Sequence, residues 1–248
     1  MTAASGDVSS AFWNPALLAE IKGSGFSAQE NFFIQGSDHS FLAFGSRLGK
    51  SALGLSFNFN HIGDLEARQS PSSQPLGLFS ENEAALSGTF ANRFTPKLSA
   101  GLTGKVLYQK LDVYDNFGTA ADLGLLFIPS EQIKVGASLL NLGPDFRLVS
   151  QGSPLPLNFR AGASFFWKDF LFLSDVVAPK RSNVKTGWGV ERALHMVFLR
   201  AGYQTGYDEK NFSFGVGIGY RNFRLDYAFV PYQSDLGGAH RFGIVADL

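Results

Sequence analysis

The residues best able to do chemistry in this sequence are charged side chains on the small-residue faces of alternating segments. In these segments large apolar residues occupy every second position, and glycine, serine, asparagine or a charged residue lies between them. The charged positions are Lys105, Lys134, Arg160, Arg200, Arg224, Asp226 and Arg241. Two interpretations stay open. The charges could pair with acids such as Asp122 and Glu191 and stiffen the fold, or they could form a polar path or bind the carboxylate head of an amphipathic ligand.

No arrangement typical of a catalytic or metal site occurs in the sequence. The four histidines are His39, His61, His195 and His240. They have no metal-ligand spacing, and no Gly-x-Ser-x-Gly elbow is present. The glycines between Gly215 and Gly219 alternate along an expected strand, whereas a dinucleotide-binding loop needs a turn that enters a helix. We therefore expect no enzyme, cofactor or metal ion; a Ser–His pair assembled only by the fold is the alternative that the sequence leaves open.

Composition favours a β-rich protein. The 248-residue chain has 21 basic and 21 acidic residues, so its formal net charge of zero gives no electrostatic case for a nucleic-acid partner. It has 28 glycines and 25 phenylalanines, and average usage would give roughly 17 glycines. It has no cysteine, which excludes disulfides and thiolate metal sites. No apolar run approaches the ~20 residues of a membrane helix.

The elements that position the charged residues are predicted strands with one apolar face. In SALGLSFNFN (51–60), Leu53, Leu55, Phe57 and Phe59 alternate with small or polar residues, which is the period of a strand rather than of an amphipathic helix. The same pattern and the turn signals predict about fourteen strands. They lie near 24–34, 39–49, 51–64, 82–94, 97–112, 117–128, 132–141, 155–167, 170–178, 185–194, 196–206, 211–220, 223–232 and 239–248.

The connections between these strands favour a membrane barrel. Those after even-numbered strands are tight, and those after odd-numbered strands tend to be longer, the longest at 66–82 and 142–154. Short turns at one end and long loops at the other are typical of outer-membrane barrels, and ten tilted residues span roughly 25 Å, the height of their apolar band. We predict an all-β fold, a transmembrane antiparallel up-and-down β-barrel whose Leu and Phe face lipid. The alternative is a soluble barrel or sandwich with an apolar core.

Aromatic residues on the predicted strands suit the membrane interfaces of such a barrel. They tend to lie near strand ends or on the apolar faces, as an aromatic girdle requires. The residues concerned are Tyr108, Trp167, Tyr203, Tyr220 and Tyr227.

The first 23 residues differ from the rest and predict a short helix at about Pro15–Ile21. Asn14 can cap it, Pro15 suits its first position and Gly23 can end it. We predict that residues 1–23, with the motif Asn14, Pro15 and Ala16, form a plug or hatch segment, and that residues 24–248 form the barrel. Packing of the helix at one end of the barrel is the simpler alternative. The opening MTAASGDVSS has neither a basic nor an apolar signal-peptide region, so we expect that a signal peptide is missing or was removed.

The sequence resembles the PorV/PorQ family, distant relatives of the FadL fatty-acid transporters. The resemblance begins at GDVSSAFWNPALLAE (6–20) and continues in SLLNLGPDF (138–146), LPLNFRAGASFF (155–166), FLFLSDVVAPK (170–180) and VFLRAGYQTG (197–206). It ends with LDYAFVPYQSDLGGAHRFGIVADL (225–248). The chain departs from the family in lacking its glycine-rich opening and in having shorter loops than the type IX secretion member.

The resemblance implies a non-enzymatic bacterial outer-membrane protein that contacts outer-membrane lipids. Its main implication is assistance to type IX secretion or surface attachment, with secreted cargo or other secretion-system proteins as partners. The alternative is a FadL-like channel for long-chain fatty acids or other hydrophobic molecules, with a hydrophobic ligand. A structural barrel without a transport role also remains open.

Overall fold

Sixteen strands account for most of the chain in the computed structural model, which describes residues 1–4, 6–34, 36–68, 74–148, 151–233 and 237–248. The first eight are β1 (Ser24–Phe32), β2 (Ser37–Leu48), β3 (Ser51–Ala67), β4 (Gly77–Thr95), β5 (Leu98–Leu111), β6 (Tyr114–Ser130), β7 (Ile133–Leu142) and β8 (Phe146–Leu148). The others are β9 (Gln151–Ser153), β10 (Asn158–Trp167), β11 (Phe170–Pro179), β12 (Lys185–Leu194), β13 (Val197–Thr205), β14 (Phe212–Tyr220), β15 (Phe223–Pro231) and β16 (Gly238–Asp247).

Fourteen of these strands form one closed antiparallel barrel. Each pairs with its neighbours in chain order, and β1 closes the ring by pairing with β16. The short strands β8 and β9 form a separate hairpin between β7 and β10. The predicted fold class and strand number are confirmed.

The apolar face of each strand points outward. Leu55 of β3 is 63% exposed, Phe214 of β14 is 54% exposed, and the alternate positions Ala52 and Ser213 lie on the inner face. Closure gives each of the fourteen strands a neighbour on both sides. An apolar exterior around a polar interior is the arrangement of a transmembrane barrel, so the large side chains of SALGLSFNFN face lipid and not a protein core.

The two ends of the barrel differ as predicted, with two exceptions. All turns after β2, β4, β6, β10, β12 and β14 contain two residues, whereas most connections at the other end are longer. The connection predicted at 66–82 is shorter than expected, because β3 runs to Ala67 and β4 already begins at Gly77. The connection predicted at 142–154 contains the unpredicted β8–β9 hairpin. We call the end of the barrel with the two-residue turns the tight-turn end, and the opposite end the long-loop end.

The N-terminal segment contains two short 3-10 helices, whereas one short helix was expected. The first is Val8–Phe12, which was not predicted, and the second is Pro15–Glu20. The second helix closes i→i+3 bonds such as Leu17 N to Asn14 O (3.0 Å), the pattern of short pieces. Ile21 is already extended, so Gly23 does not end the helix. No helix in the described ranges is long and apolar enough to cross a membrane.

Candidate functional site

Glycines on three neighbouring strands make room for the N-terminal segment inside the barrel. Gly101 of β5 and Gly124 of β6 are in register, and Gly136 lies on β7. A Cβ at Gly101 would collide with the Pro15 backbone, and one at Gly124 would collide with the Asn14 side chain. All three glycines lie near the tight-turn end, so the segment crosses the lumen close to that end.

Asn14 is the polar centre of this contact and is fully buried. Its Oδ1 accepts a hydrogen bond from the Ala16 amide (3.0 Å), which caps the second helix. Its Nδ2 donates to the carbonyl oxygens of Thr2 and Leu125 (2.9 Å each). Asn14 therefore joins the helix start, the chain before it and the barrel wall.

Arg160 and its partner Asp175 hold the beginning of the chain. Arg160 Nη2 donates to Asp175 Oδ2 at 2.9 Å, and the Thr2 amide and hydroxyl donate to the same carboxylate at 3.0 Å. The guanidinium of Arg160 also lies 4.7 Å from the centroid of the Trp13 ring. The Asp175 carboxylate thus joins the first residues of the chain to β10 and β11.

Arg200, Arg224 and Asp226 form a chain of ion pairs on the opposite wall. Arg200 pairs with Glu191 (2.6 Å) and with Asp226 (2.5 Å), and Arg224 pairs with Asp226 (2.7 Å). Arg224 also donates to Asp7 (2.7 Å), whose other oxygen caps the first 3-10 helix through the Ser9 amide. This network ties the N-terminal segment to β12–β15.

Lys134 and Lys105 occupy the remaining wall. Lys134 lies 3.8 Å from Glu20 of the N-terminal segment, and Glu20 also binds Arg93 at 2.7 Å. Lys105 does not reach this segment. Its Nζ pairs with Asp122 at 2.6 Å and donates to Asn141 Oδ1 at 2.9 Å.

The Lys105–Asp122 pair lies beside a β-bulge in the wall. Between β6 and β7 the register shifts after Ala121, and Asn141 of β7 adopts a left-handed φ of 64°. The Asn141 amide turns to donate to Asp122 Oδ1 at 2.7 Å. Bulges of this kind are common next to functional sites because they redirect side chains.

On the long-loop side of the N-terminal segment, the Lys105–Asp122 pair borders a cavity of about 400 Å³ that we call the lumen cavity. Its walls combine hydroxyl and amide groups with apolar side chains, as a site for a mainly apolar molecule with few polar anchors requires. They include Phe12, Asn58, Thr103, Phe146 and Leu155.

Beside the lumen cavity, part of β6 lacks a strand partner on one side. Tyr114–Ala120 of β6 pair with β5, but the pairing with β7 stops at Ala121, and no strand of the described residues takes the place of β7 there. The segment that leads into β8 covers this edge. The Phe146 ring packs on Gly118 so closely that a Cβ there would lie 2.7 Å from it.

A second cavity of about 370 Å³, the wall cavity, lies at the covered edge. It is lined by Gly118 and Phe146 and also by Val106 and Phe117, which are 50% and 66% exposed on the outer face. Phe146 and Leu155 line both the lumen cavity and the wall cavity. They stand between the interior and the lipid-facing surface.

Arg241 lies on the other side of the N-terminal segment. It borders a cavity of about 410 Å³ that also contacts Asp7 and Arg224, and its guanidinium lies 5.9 Å from the centroid of the Phe33 ring. Its Nε has no hydrogen-bond partner among the described residues.

The structure thus places all seven predicted charges on the inner wall but does not unite them in one site. Arg160, Arg224 and Lys134 contact the N-terminal segment, Arg200 and Asp226 support Arg224, and Lys105 and Arg241 border separate cavities. Sequence reasoning missed Phe146, Leu155 and the set of Gly101, Gly124 and Gly136, which we call the glycine cradle. The glycines at alternate strand positions were the available signal for the cradle. The described residues contain no group of three acidic or histidine side chains that could hold a metal ion.

Comparison with known proteins gives a fold but no sequence family. No family model matches the chain, and no curated protein matches it. Solved structures match over nearly its whole length. It is similar to the CymD monoaromatic hydrocarbon channel, with TM-score 0.73 and 11% identity, over 100% of this chain and 94% of that one.

Two further structures agree. The Pseudomonas putida toluene transporter TodX has a TM-score of 0.71 and 12% identity, over 99% of this chain and 93% of that one. A Pseudomonas aeruginosa FadL homologue has a TM-score of 0.60 and 12% identity, over 98% and 93%. These likenesses define a FadL-like barrel fold. At this level of identity they show the fold alone, and the PorV/PorQ resemblance is not confirmed.

Proposed function

We propose that this protein is a non-enzymatic outer-membrane channel for small hydrophobic molecules. The observation that carries the proposal is the shared lining of two cavities. Phe146 and Leu155 border both the lumen cavity and the wall cavity, so they separate the interior from a lipid-facing opening by a single layer of side chains. The channels that share the fold are described as carrying monoaromatic hydrocarbons or toluene, and we propose the same size class of ligand here.

In this proposal residues 1–23 act as a plug and residues 24–248 as the barrel. The support is the burial of Asn14, Pro15 and Ala16 against the glycine cradle near the tight-turn end. A plug at that end directs an apolar ligand sideways through the wall instead of straight along the barrel axis. The route suits an apolar molecule because it leads from the cavity to lipid without crossing water.

The inner charges then serve chiefly to hold the plug. Arg160, Arg224 and Lys134 bind groups at or beside Thr2, Asp7 and Glu20, which supports the structural interpretation for these three. Lys105 differs, because its pair with Asp122 borders the lumen cavity. We propose that this pair provides a polar anchor at the wall of an otherwise mixed cavity.

The proposed location is a bacterial outer membrane. Short turns face the periplasm and long loops face outward in barrels of this class, so the plug would lie on the periplasmic side. The long-loop end, where the lumen cavity opens beside the β8–β9 hairpin, would receive the ligand.

The test is uptake of radiolabelled toluene by cells that express the full chain. We expect uptake several times that of cells with empty vector, and we expect Phe146→Trp and Leu155→Trp to reduce it to the vector level by filling the passage. Phe214→Trp is the matched control, because it enlarges an outward aromatic residue on β14, far from the passage. A gel-mobility shift on heating checks that each variant is folded. Uptake at the vector level with folded protein, or full uptake in both passage variants, would overturn the proposal.

A further inference from the structure

At the tight-turn end of one half of the barrel, three basic side chains each lie over an aromatic ring. Lys168 Nζ lies 4.8 Å from the centroid of the Trp167 ring, in the β10–β11 turn. Arg221 Cζ lies 5.3 Å from the Tyr220 ring, in the β14–β15 turn. Between them, Arg192 Cζ lies 5.2 Å from the Phe170 ring. We call this set the basic–aromatic sector.

The sector faces the membrane and not the lumen. Trp167 is 52% exposed and Tyr220 is 62% exposed, both on the apolar outer face. Arg192 is in register with Leu199 of β13, which is 46% exposed on the outer face. On its other side it is in register with Phe170 of β11. None of the three cations forms an ion pair with a described residue.

The outward-facing Arg192 indicates how deep the rim of the barrel at the tight-turn end lies in the membrane. An arginine is costly at the midplane of a bilayer but is tolerated near the interface. Arg192 lies within two residues of the end of β12, so the lipid headgroups must begin at its level. Tryptophan and tyrosine prefer the same level because one end of each ring is apolar and the other is polar.

The other half of the rim lacks this arrangement. Its turns are Gly49–Lys50, Pro96–Lys97 and Glu131–Gln132, and no cation–ring contact is found there among the described residues. The turns of the basic–aromatic sector contain Lys168 and Arg221 against one acidic residue, Asp169, and the turns of the other half contain Lys50 and Lys97 against Glu131. Both halves thus carry cations at this end, and the sector differs in that its cations lie over aromatic rings.

We propose that the basic–aromatic sector binds the phosphate headgroups of anionic glycerophospholipids in the leaflet at the tight-turn end. The cations donate hydrogen bonds to phosphate, and the arginines can do so with two parallel N–H groups. The rings hold the cations at headgroup depth, while Leu194 and Leu199 offer apolar surface to the acyl chains. The inference requires a membrane barrel but not a channel, so it stands or falls separately from the proposed transport.

The test measures lipid binding by the full chain in detergent, using native mass spectrometry. Phosphatidylglycerol and phosphatidylcholine with identical acyl chains are added in equal amounts. Each basic residue near an anionic surface gives roughly a fivefold gain in partitioning, so we expect clear enrichment of phosphatidylglycerol. K168Q/R192Q/R221Q should lose this enrichment.

The matched control is K22Q/K50Q/K97Q, which removes three exposed cations near the same end but outside the sector. We expect it to keep the enrichment. Equal binding of the two lipids by the unaltered protein would overturn the proposal, and so would equal loss in the two triple variants. If the sector variant fails to fold, the unaltered protein still decides, because high salt must abolish an enrichment that depends on charge.

Discussion

Replacing Asn14 with alanine tests how firmly the N-terminal segment is held. The change removes one accepted and two donated hydrogen bonds of a fully buried amide. At roughly 1 kcal/mol for each neutral bond the loss is about 3 kcal/mol. Every 1.4 kcal/mol changes an equilibrium about tenfold, so the population with a released segment should rise roughly a hundredfold.

The assay is maleimide labelling of a single introduced cysteine. The chain contains no cysteine, and Val8 is 4% exposed in the cluster that includes Leu18 and Phe41. Val8→Cys should label slowly in the closed state. At a maleimide concentration low enough that the segment closes faster than the thiol reacts, the labelling rate follows the open population, so adding Asn14→Ala should raise it roughly a hundredfold.

The control is Asn58→Ala in the same Val8→Cys background. Asn58 lines the lumen cavity and hydrogen-bonds His39 at 3.1 Å, but it forms no described hydrogen bond with the N-terminal segment. Labelling should stay near the starting rate. If Asn14→Ala changes labelling less than twofold, the buried amide does not hold the segment and the reasoning is wrong.

Three other changes test the face assignment, the buried pair and the long-loop end. Phe214→Arg should lower membrane insertion by ~2–4 kcal/mol, because it faces lipid, whereas Gly215→Ser on the inner face should have a smaller effect; equal loss in refolding assays would contradict the faces. Lys105→Met should destabilise the protein by ~3 kcal/mol in urea unfolding, because it leaves the Asp122 carboxylate buried without its cation, and adding Asp122→Asn should recover part of the loss. The pKa of Lys210 in the β13–β14 loop is lowered, mainly by burial and further by the nearby cations Arg241 and Lys185. Because more of its amine is then neutral at a given pH, we expect acylation at mildly alkaline pH, followed by peptide mapping, to show faster modification of Lys210 than of exposed lysines.

The strands and their faces could be predicted because a barrel wall obeys one simple rule. Each residue of β14 meets either lipid or lumen, so the alternation from Phe212 to Tyr220 is uninterrupted and readable.

The cavities could not be predicted because they depend on contacts between distant segments. The short helix expected at about Pro15–Ile21 is present as Pro15–Glu20, but its 3-10 type was not predicted. The role of Phe146 depends on where β7 stops pairing with β6, and nothing in the local sequence reports that position. The partner of each inner charge depends on register in the same way.

The pairing of β1 with β16 has a consequence for the order of assembly. Gly25 and Asp247 meet across this seam, so the ring cannot shut until β16 has been synthesised. Thr2 reaches Asp175 and Asp7 reaches Arg224, contacts that span 173 and 217 residues. Contacts of such long range form slowly, and the early residues must wait for the late strands. The N-terminal segment is thus made before the strands that hold it and is fixed only when β11 and β15 are in place.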